Sequence, residues 1–225
     1  MLRLLIALAV GFCIGAVSYR TATKVIPQRT TTATAAPANP YYETRRSIFA
    51  QVGGHFPIVF VGDSITEQGP WHELLQCHAI ANRGIGGSTS EAVKARLDQV
   101  IALRPTAIFL MIGAVDAAQD IPAAVTAQNV QQILARVRAA GIKAILQMPL
   151  PARKSGRDGV TNANLTKLDT ELAKLGEKSI DLDPLFKTSD GFLREDLSYN
   201  VLHLSPAGYQ AWRDAIAPLV KTLCN

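Results

Sequence analysis

The chain alternates between two hydrophobic periods, and that alternation limits it to few folds. Short apolar runs at Ile58–Gly62, Ala79–Asn82, Ala107–Ile112, Lys143–Met148 and Ser179–Leu182 are bounded by glycine, proline or polar residues and predict strands. Helical patterns lie between them over Trp71–Gln76, Thr89–Leu103, Pro122–Ala140 and Asn162–Gly176, and a last one runs from Pro206 toward Leu223. Ser88, with Glu91 three residues on, predicts a capping box for the second helix. Gly141 and Gly176 predict the ends of the third and fourth, and Pro218 a bend in the last. Strands and helices in this order, joined by right-handed crossovers, give an α/β fold. The expected form is a doubly wound, mostly parallel five-stranded sheet in three α/β/α layers, flavodoxin-like in type. Ligands of such sheets bind beyond the carboxyl ends of the strands. There the loops Asp63-Ser64, Arg83–Gly87 and Gly113–Asp116 converge.

A chain of 225 residues suits one such domain with an accessory segment. The net charge of +5 is concentrated at the start: Arg3, Arg20, Lys24 and Arg29 lie in residues 1–40 without any acid, leaving +1 for the rest. No basic stripe carries interleaved aromatics, so no nucleic-acid partner is expected. Leu4 to Val17 is an almost unbroken apolar run after Arg3. Its length suits a signal-peptide core, with Ala16-Val17-Ser18 as a cleavage site, or a retained membrane anchor. The basic residues that follow oppose export under the positive-inside rule. Residues 1–20 are therefore read as signal peptide or anchor, 21–45 as a Thr/Ala/Pro-rich linker and 46–225 as the folded domain, periplasmic or secreted. Cys77 and Cys224, outside the apolar run, are either two buried thiols or a disulfide fitting an oxidising compartment.

The stretch VFVGDSITEQG, Val59–Gly69, raises the chemical question. A strand that ends in glycine, a carboxylate and a hydroxyl either turns into a capped helix or holds a nucleophilic serine at the mouth of the sheet. A serine nucleophile needs a base, oxyanion donors and a group that orients the base. Among the four histidines, His55, His72 and His78 suit structural or surface roles, while His203 lies in a loop just before the last helix. Asp63 suits the turn, and Asp116 suits bracing of its loop. Arg153 and Lys154 suit either a solvated loop or contact with an anionic substrate. No cluster has metal-ligand spacing, and Gly84, Gly86 and Gly87 make no dinucleotide fingerprint, so neither metal nor cofactor is expected.

Four blocks in order resemble the SGNH, or GDSL-type, hydrolase family: GDSIT at Gly62–Thr66, NRGIGGST at Asn82–Thr89, IGAVD at Ile112–Asp116 and HLSPAGY at His203–Tyr209. The resemblance implies Ser64 as nucleophile and His203 as base, with the N–H groups of Ser64 and Gly84 as oxyanion donors. Two positions depart from the family pattern. Val115 stands where the family offers an asparagine side chain to the oxyanion, and Asn200 where it has an aspartate three residues before the histidine. Asn200 and Asp196 are the candidates to orient His203. The expected function is that of an exported serine esterase or acyltransferase acting on a small-molecule or glycan ester, with membrane association through the apolar segment. The alternative is a weak or inactive module on the same fold that binds an acylated glycan or a protein.

Overall fold

The computed structural model describes residues 39–154 and 158–224. The proposed signal peptide or anchor and most of the proposed linker lie outside these residues. Among the described residues, no helix is long and apolar enough to cross a membrane.

Strands β1 (Ile58–Gly62), β2 (Ile80–Gly84), β3 (Ala107–Met111), β4 (Lys143–Gln147) and β5 (Ser179–Ile180) form one sheet in the order β2-β1-β3-β4-β5. Every pairing is parallel, with Gly62 in register with Gly84 on one side and Met111 on the other. This is the doubly wound sheet expected from the alternation. The chain runs from β1 to β2 on one side and then crosses from β2 back over β1 to β3 on the other, so the switch point lies between β1 and β3.

Ten helices are described: α1 (Pro40–Gln51), α2 (Ser64–Glu67), α3 (Trp71–Leu74), α4 (Ser90–Ala95), α5 (Leu97–Ile101), α6 (Ala114–Ala118), α7 (Ala123–Ala139), α8 (Asp158–Ala173), α9 (Asp183–Phe186) and α10 (Pro206–Lys221). Because successive strand side chains point to opposite faces, the sheet builds two cores. Ile58, Phe60 and Phe109 face Trp71 of α3 and Trp212 of α10, with Phe60 stacked between Trp71 and Phe109. Val59, Val61, Ile108 and Leu110 face Val93, Val100, Val130, Ile133 and Leu168 on the other side. A disulfide joins Cys77, before β2, to Cys224 after α10, across a Cα separation of 6.1 Å.

Three local expectations are corrected. The run Thr89–Leu103 is two helices, because Arg96 leaves the helical path and its buried Nη2 donates to the Gly62 carbonyl at 3.1 Å. The cap of α4 is Thr89, whose Oγ1 accepts from Ala92 N–H; the Ser88 hydroxyl instead donates to Ile85 O at 2.7 Å. Helix α1 was not expected, and it begins inside the segment read as linker. Its sequence, PYYETRRSIFAQ, buries only Phe49, so it carries almost no hydrophobic period to read.

Candidate active site

Strand β1 ends in glycine for a steric reason. A Cβ on Gly62 would stand 2.9 Å from Cβ of Thr66 and also overlap the Met111 carbonyl of the neighbouring strand. Only a bare backbone lets α2 fold back over the sheet. Asp63, fully buried, then caps α2 by accepting from Ile65 N–H at 2.9 Å. Burial pushes its carboxyl up to about 7. This is the turn role expected of it.

The turn leaves Ser64 half-buried, with its Oγ 2.8 Å from Nε2 of His203, 139 residues later in the chain. Nδ1 of His203 is 3.1 Å from Oδ1 of Asn200. The same oxygen accepts the backbone N–H groups of Leu202 at 3.0 Å and His203 at 2.8 Å. Those two donors decide which way the Asn200 amide faces, because its NH2 end cannot accept from them. The oxygen therefore faces the ring. The imidazole then carries its proton on Nδ1 and offers a lone pair at Nε2 to Ser64. Burial holds the imidazole below its ordinary pKa, which favours the neutral form that such a lone pair requires.

Asp196, the other candidate to orient His203, does not reach it. Its carboxylate pairs with the guanidinium of Arg194 at 2.6 and 3.1 Å, on the 3-10 turn at Glu195–Leu197. Arg153 pairs with Glu195 and Lys154 with Asp190, so each has a carboxylate partner within the protein. The backbone N–H of Arg153 also donates to Val201 O at 2.8 Å, tying the loop after β4 to the histidine loop.

Gly84 does not stand as expected. Its N–H donates to Oδ1 of Asn82 at 2.9 Å, and a Cβ there would stand 2.7 Å from Cα of Glu67. Asn82 meanwhile spends its Nδ2 on the carbonyls of Thr66, Glu67 and Gly69 at the end of α2. Gly84 is thus a packing glycine with a satisfied N–H. Two residues on, Gly86 lies beside Ser64, with its Cβ position 3.7 Å from Cβ of that serine. Gly87 follows at φ +75°. Its N–H, like that of Ser64, finds no acceptor among the described residues. Gly87, which the sequence does not single out, thus has the unspent N–H that was expected of Gly84. The signal was Asn82 itself, an Asx acceptor placed two residues before Gly84.

In the third loop, Val115 is half-buried and brings no polar atom. Beside it Asp116 is buried, accepting from Ser90 N–H at 2.9 Å, from the Ser90 hydroxyl at 2.5 Å and from Thr126 Oγ1 at 3.1 Å. It braces the loop against α4 and α7. A largely apolar cleft of about 370 Å³ adjoins the histidine loop, walled by Gln68, Pro70, Leu74, Tyr199 and Leu204. The Tyr199 ring stacks on His203 with centroids 5.8 Å apart.

Residues 60–211 match the model of the GDSL-like Lipase/Acylhydrolase family. Platelet-activating factor acetylhydrolase IB subunit alpha1 of Bos taurus is 30% identical over 168 residues, covering 68% of this chain and 69% of that protein. The Homo sapiens subunit is 30% identical over 165 residues, covering 68% and 70%. Among solved structures, a GDSL-like lipase from Bacteroides thetaiotaomicron superposes with a TM-score of 0.68 at 21% identity, over 80% of this chain and 97% of that one. A lipase/acylhydrolase from Enterococcus faecalis gives 0.57 at 24% identity, over 76% and 96%. At these identities the two structures bear on the fold alone. The chain belongs to the GDSL-like lipase/acylhydrolase family.

Proposed function

We propose that this member of the GDSL-like lipase/acylhydrolase family hydrolyses a carboxylic ester through an acyl-enzyme on Ser64. The observation that carries the reading is the run Ser64 Oγ–His203 Nε2–Asn200 Oδ1, in which the amide is oriented by two backbone donors. Ser64 Oγ attacks the ester carbonyl while its proton passes to Nε2 of His203. The carbonyl oxygen becomes an oxyanion facing the N–H groups of Ser64 and Gly87. When the tetrahedral intermediate collapses, Nε2 returns the proton to the departing alkoxide. Water then repeats the sequence on the acyl-enzyme, with His203 again as base, and releases a carboxylic acid. An acceptor hydroxyl in place of that water makes the same chemistry an acyl transfer.

The Ser64–His203 contact favours catalysis over the pure binding module, since a binding surface has no need of an unprotonated Nε2 aimed at a serine. The acetylhydrolase relatives point to a short acyl group. Export of the domain belongs to the same reading. The apolar run Leu4–Val17 and the Cys77–Cys224 disulfide support it, since such bonds persist in oxidising compartments. Alkaline phosphatase fused after Asn225 should be active if the domain is exported and inactive if it stays in the cytoplasm.

The central test is Ser64→Ala assayed on p-nitrophenyl acetate and with an active-site serine phosphonate. The variant should fold and lose both labelling and hydrolysis, by up to about 10⁶-fold in kcat, the cost of losing a serine nucleophile in a comparable triad. Labelling of Ser64→Ala to the same extent as the wild type rejects the assignment.

A further inference from the structure

We propose that Glu67 is a positioning residue for ester cleavage: its carboxylate, gripped by helix α1, holds the Gly86–Gly87 loop against Ser64. The proposal rests on the acyl-enzyme reading above.

Glu67 lies one turn after Ser64 in α2, with its side chain 13% exposed. Oε2 accepts the Gly86 N–H at 2.7 Å. Oε1 accepts the Tyr41 hydroxyl at 2.6 Å and the Arg45 Nε–H at 2.9 Å. One carboxylate thus joins three elements: the nucleophile helix, the glycine loop and α1. Charge-assisted bonds of this kind are about twice as strong as neutral ones and are directional. Asn39, which caps α1 through Oδ1, also reaches the loop; its Nδ2 is 3.7 Å from the Cβ position of Gly87.

The loop needs such a grip. Two adjacent glycines are the least restrained backbone a chain can offer. Gly86 is half-buried and Gly87 exposed, so packing alone does little to fix them. Tying the Gly86 N–H to Glu67 fixes one peptide plane of the pair and leaves the Gly87 N–H free for the oxyanion. The grip also needs its cation. An unpaired carboxylate this close to the developing oxyanion would repel it, and Arg45 balances that charge. Helix α1 buries little else, so Tyr41 and Arg45 make its main polar contacts with the site.

A helix anchor and a loop-positioning residue differ in what they change. If Glu67 only anchors α1, its loss lowers Tm and leaves kcat alone. If it positions the loop, kcat falls and KM hardly moves, because the oxyanion contact matters most in the transition state. With p-nitrophenyl acetate, Glu67→Ala should lower kcat about 10- to 100-fold, below the roughly 100- to 1,000-fold of a deleted donor, since the Gly87 N–H is displaced rather than removed. KM should stay within about twofold. Glu67→Gln keeps an oxygen for Gly86 and should recover part of the loss. The double variant Tyr41→Phe/Arg45→Met should lower kcat about tenfold in the wild type and not further in Glu67→Ala, because both act through one carboxylate. Should Glu67→Ala fail to fold, the Tyr41→Phe/Arg45→Met pair decides. Wild-type kcat in these folded variants, with Ser64→Ala inactive, overturns the role of Glu67 alone. An active, phosphonate-labelled Ser64→Ala overturns the underlying reading as well.

Discussion

The histidine loop and the third loop each lack a group that the family resemblance leads one to expect, with different consequences. In the histidine loop, where the resemblance leads one to expect a carboxylate, Asn200 presents an oxygen that is held by the N–H groups of Leu202 and His203 and faces Nδ1. In the third loop, where the resemblance leads one to expect an amide, Val115 brings nothing polar, although the Asp116 network beside it is complete. Asn200 lacks a charge and keeps the geometry of an acceptor at Nδ1. Val115 sits in an intact loop and offers no donor. A departure from the expected pattern is thus better judged by the hydrogen bond that is present than by the residue type.

Of the changes in these two loops, removing the acceptor at Asn200 should have the largest effect. Asn200→Ala removes the acceptor that selects the Nδ1–H tautomer, and kcat should fall about 100-fold. That is less than the roughly 10⁴-fold of an amide that imposes the wrong tautomer, because water can serve as a partial acceptor in this exposed loop. Steady-state kinetics on p-nitrophenyl acetate reads the loss, and wild-type kcat would mean that Asn200 does not orient the base. Restoring the missing donor should have a smaller effect. Val115→Asn should raise kcat at least about tenfold with little change in KM, against a ceiling of 100- to 1,000-fold set by typical oxyanion donors. The discount reflects a pocket shaped for valine. An unchanged kcat in a folded Val115→Asn would show that the hole is already filled or that chemistry is not rate-limiting.

What the sequence shows follows from the range of the interactions that fix each feature. The strands are legible to within a few residues, because glycine, proline and polar residues end them locally; β5 is the shortest, two residues against the four expected. The Ser64–His203 pairing is legible through its ordered blocks, although 139 residues separate the partners. Helix α1 is not legible, because its attachment is polar and tertiary, through Tyr41, Arg45 and Glu67, rather than a hydrophobic stripe. The same is true of the choice between Gly84 and Gly87. Three glycines within four residues look alike in sequence, and only the Asn82 hydrogen bond shows whose N–H is already spent. The break in the helix at Arg96 likewise depends on a carbonyl 34 residues away.

The smallest expected effect is the most direct measure of the charge that Asn200 lacks. On the proposed mechanism His203 is neutral when it accepts the Ser64 proton, so activity should rise with pH as the imidazolium loses its proton. Burial lowers the His203 pKa, which puts the acid limb of the wild-type profile below the ordinary imidazole value of about 6.5. Asn200→Asp keeps an acceptor where Oδ1 stands, 3.1 Å from Nδ1, and adds a negative charge that stabilises the imidazolium. The acid limb of kcat/KM should therefore move up by about one pH unit, the low end for a close opposite charge because the loop is exposed to solvent. The same stabilisation acts on the imidazolium formed in the transition state, so the plateau at high pH should rise a few-fold, by about 1 kcal/mol or less. The two profiles should then cross: the variant is the faster enzyme at pH 8 and, because a loss of about tenfold from the shifted limb outweighs a few-fold gain in plateau, the slower one toward pH 5. A variant with a higher plateau but an unmoved acid limb would mean that the new carboxylate acts elsewhere than on the ring. An unmoved limb together with an unchanged plateau would mean that the backbone donors of Leu202 and His203 already neutralise it.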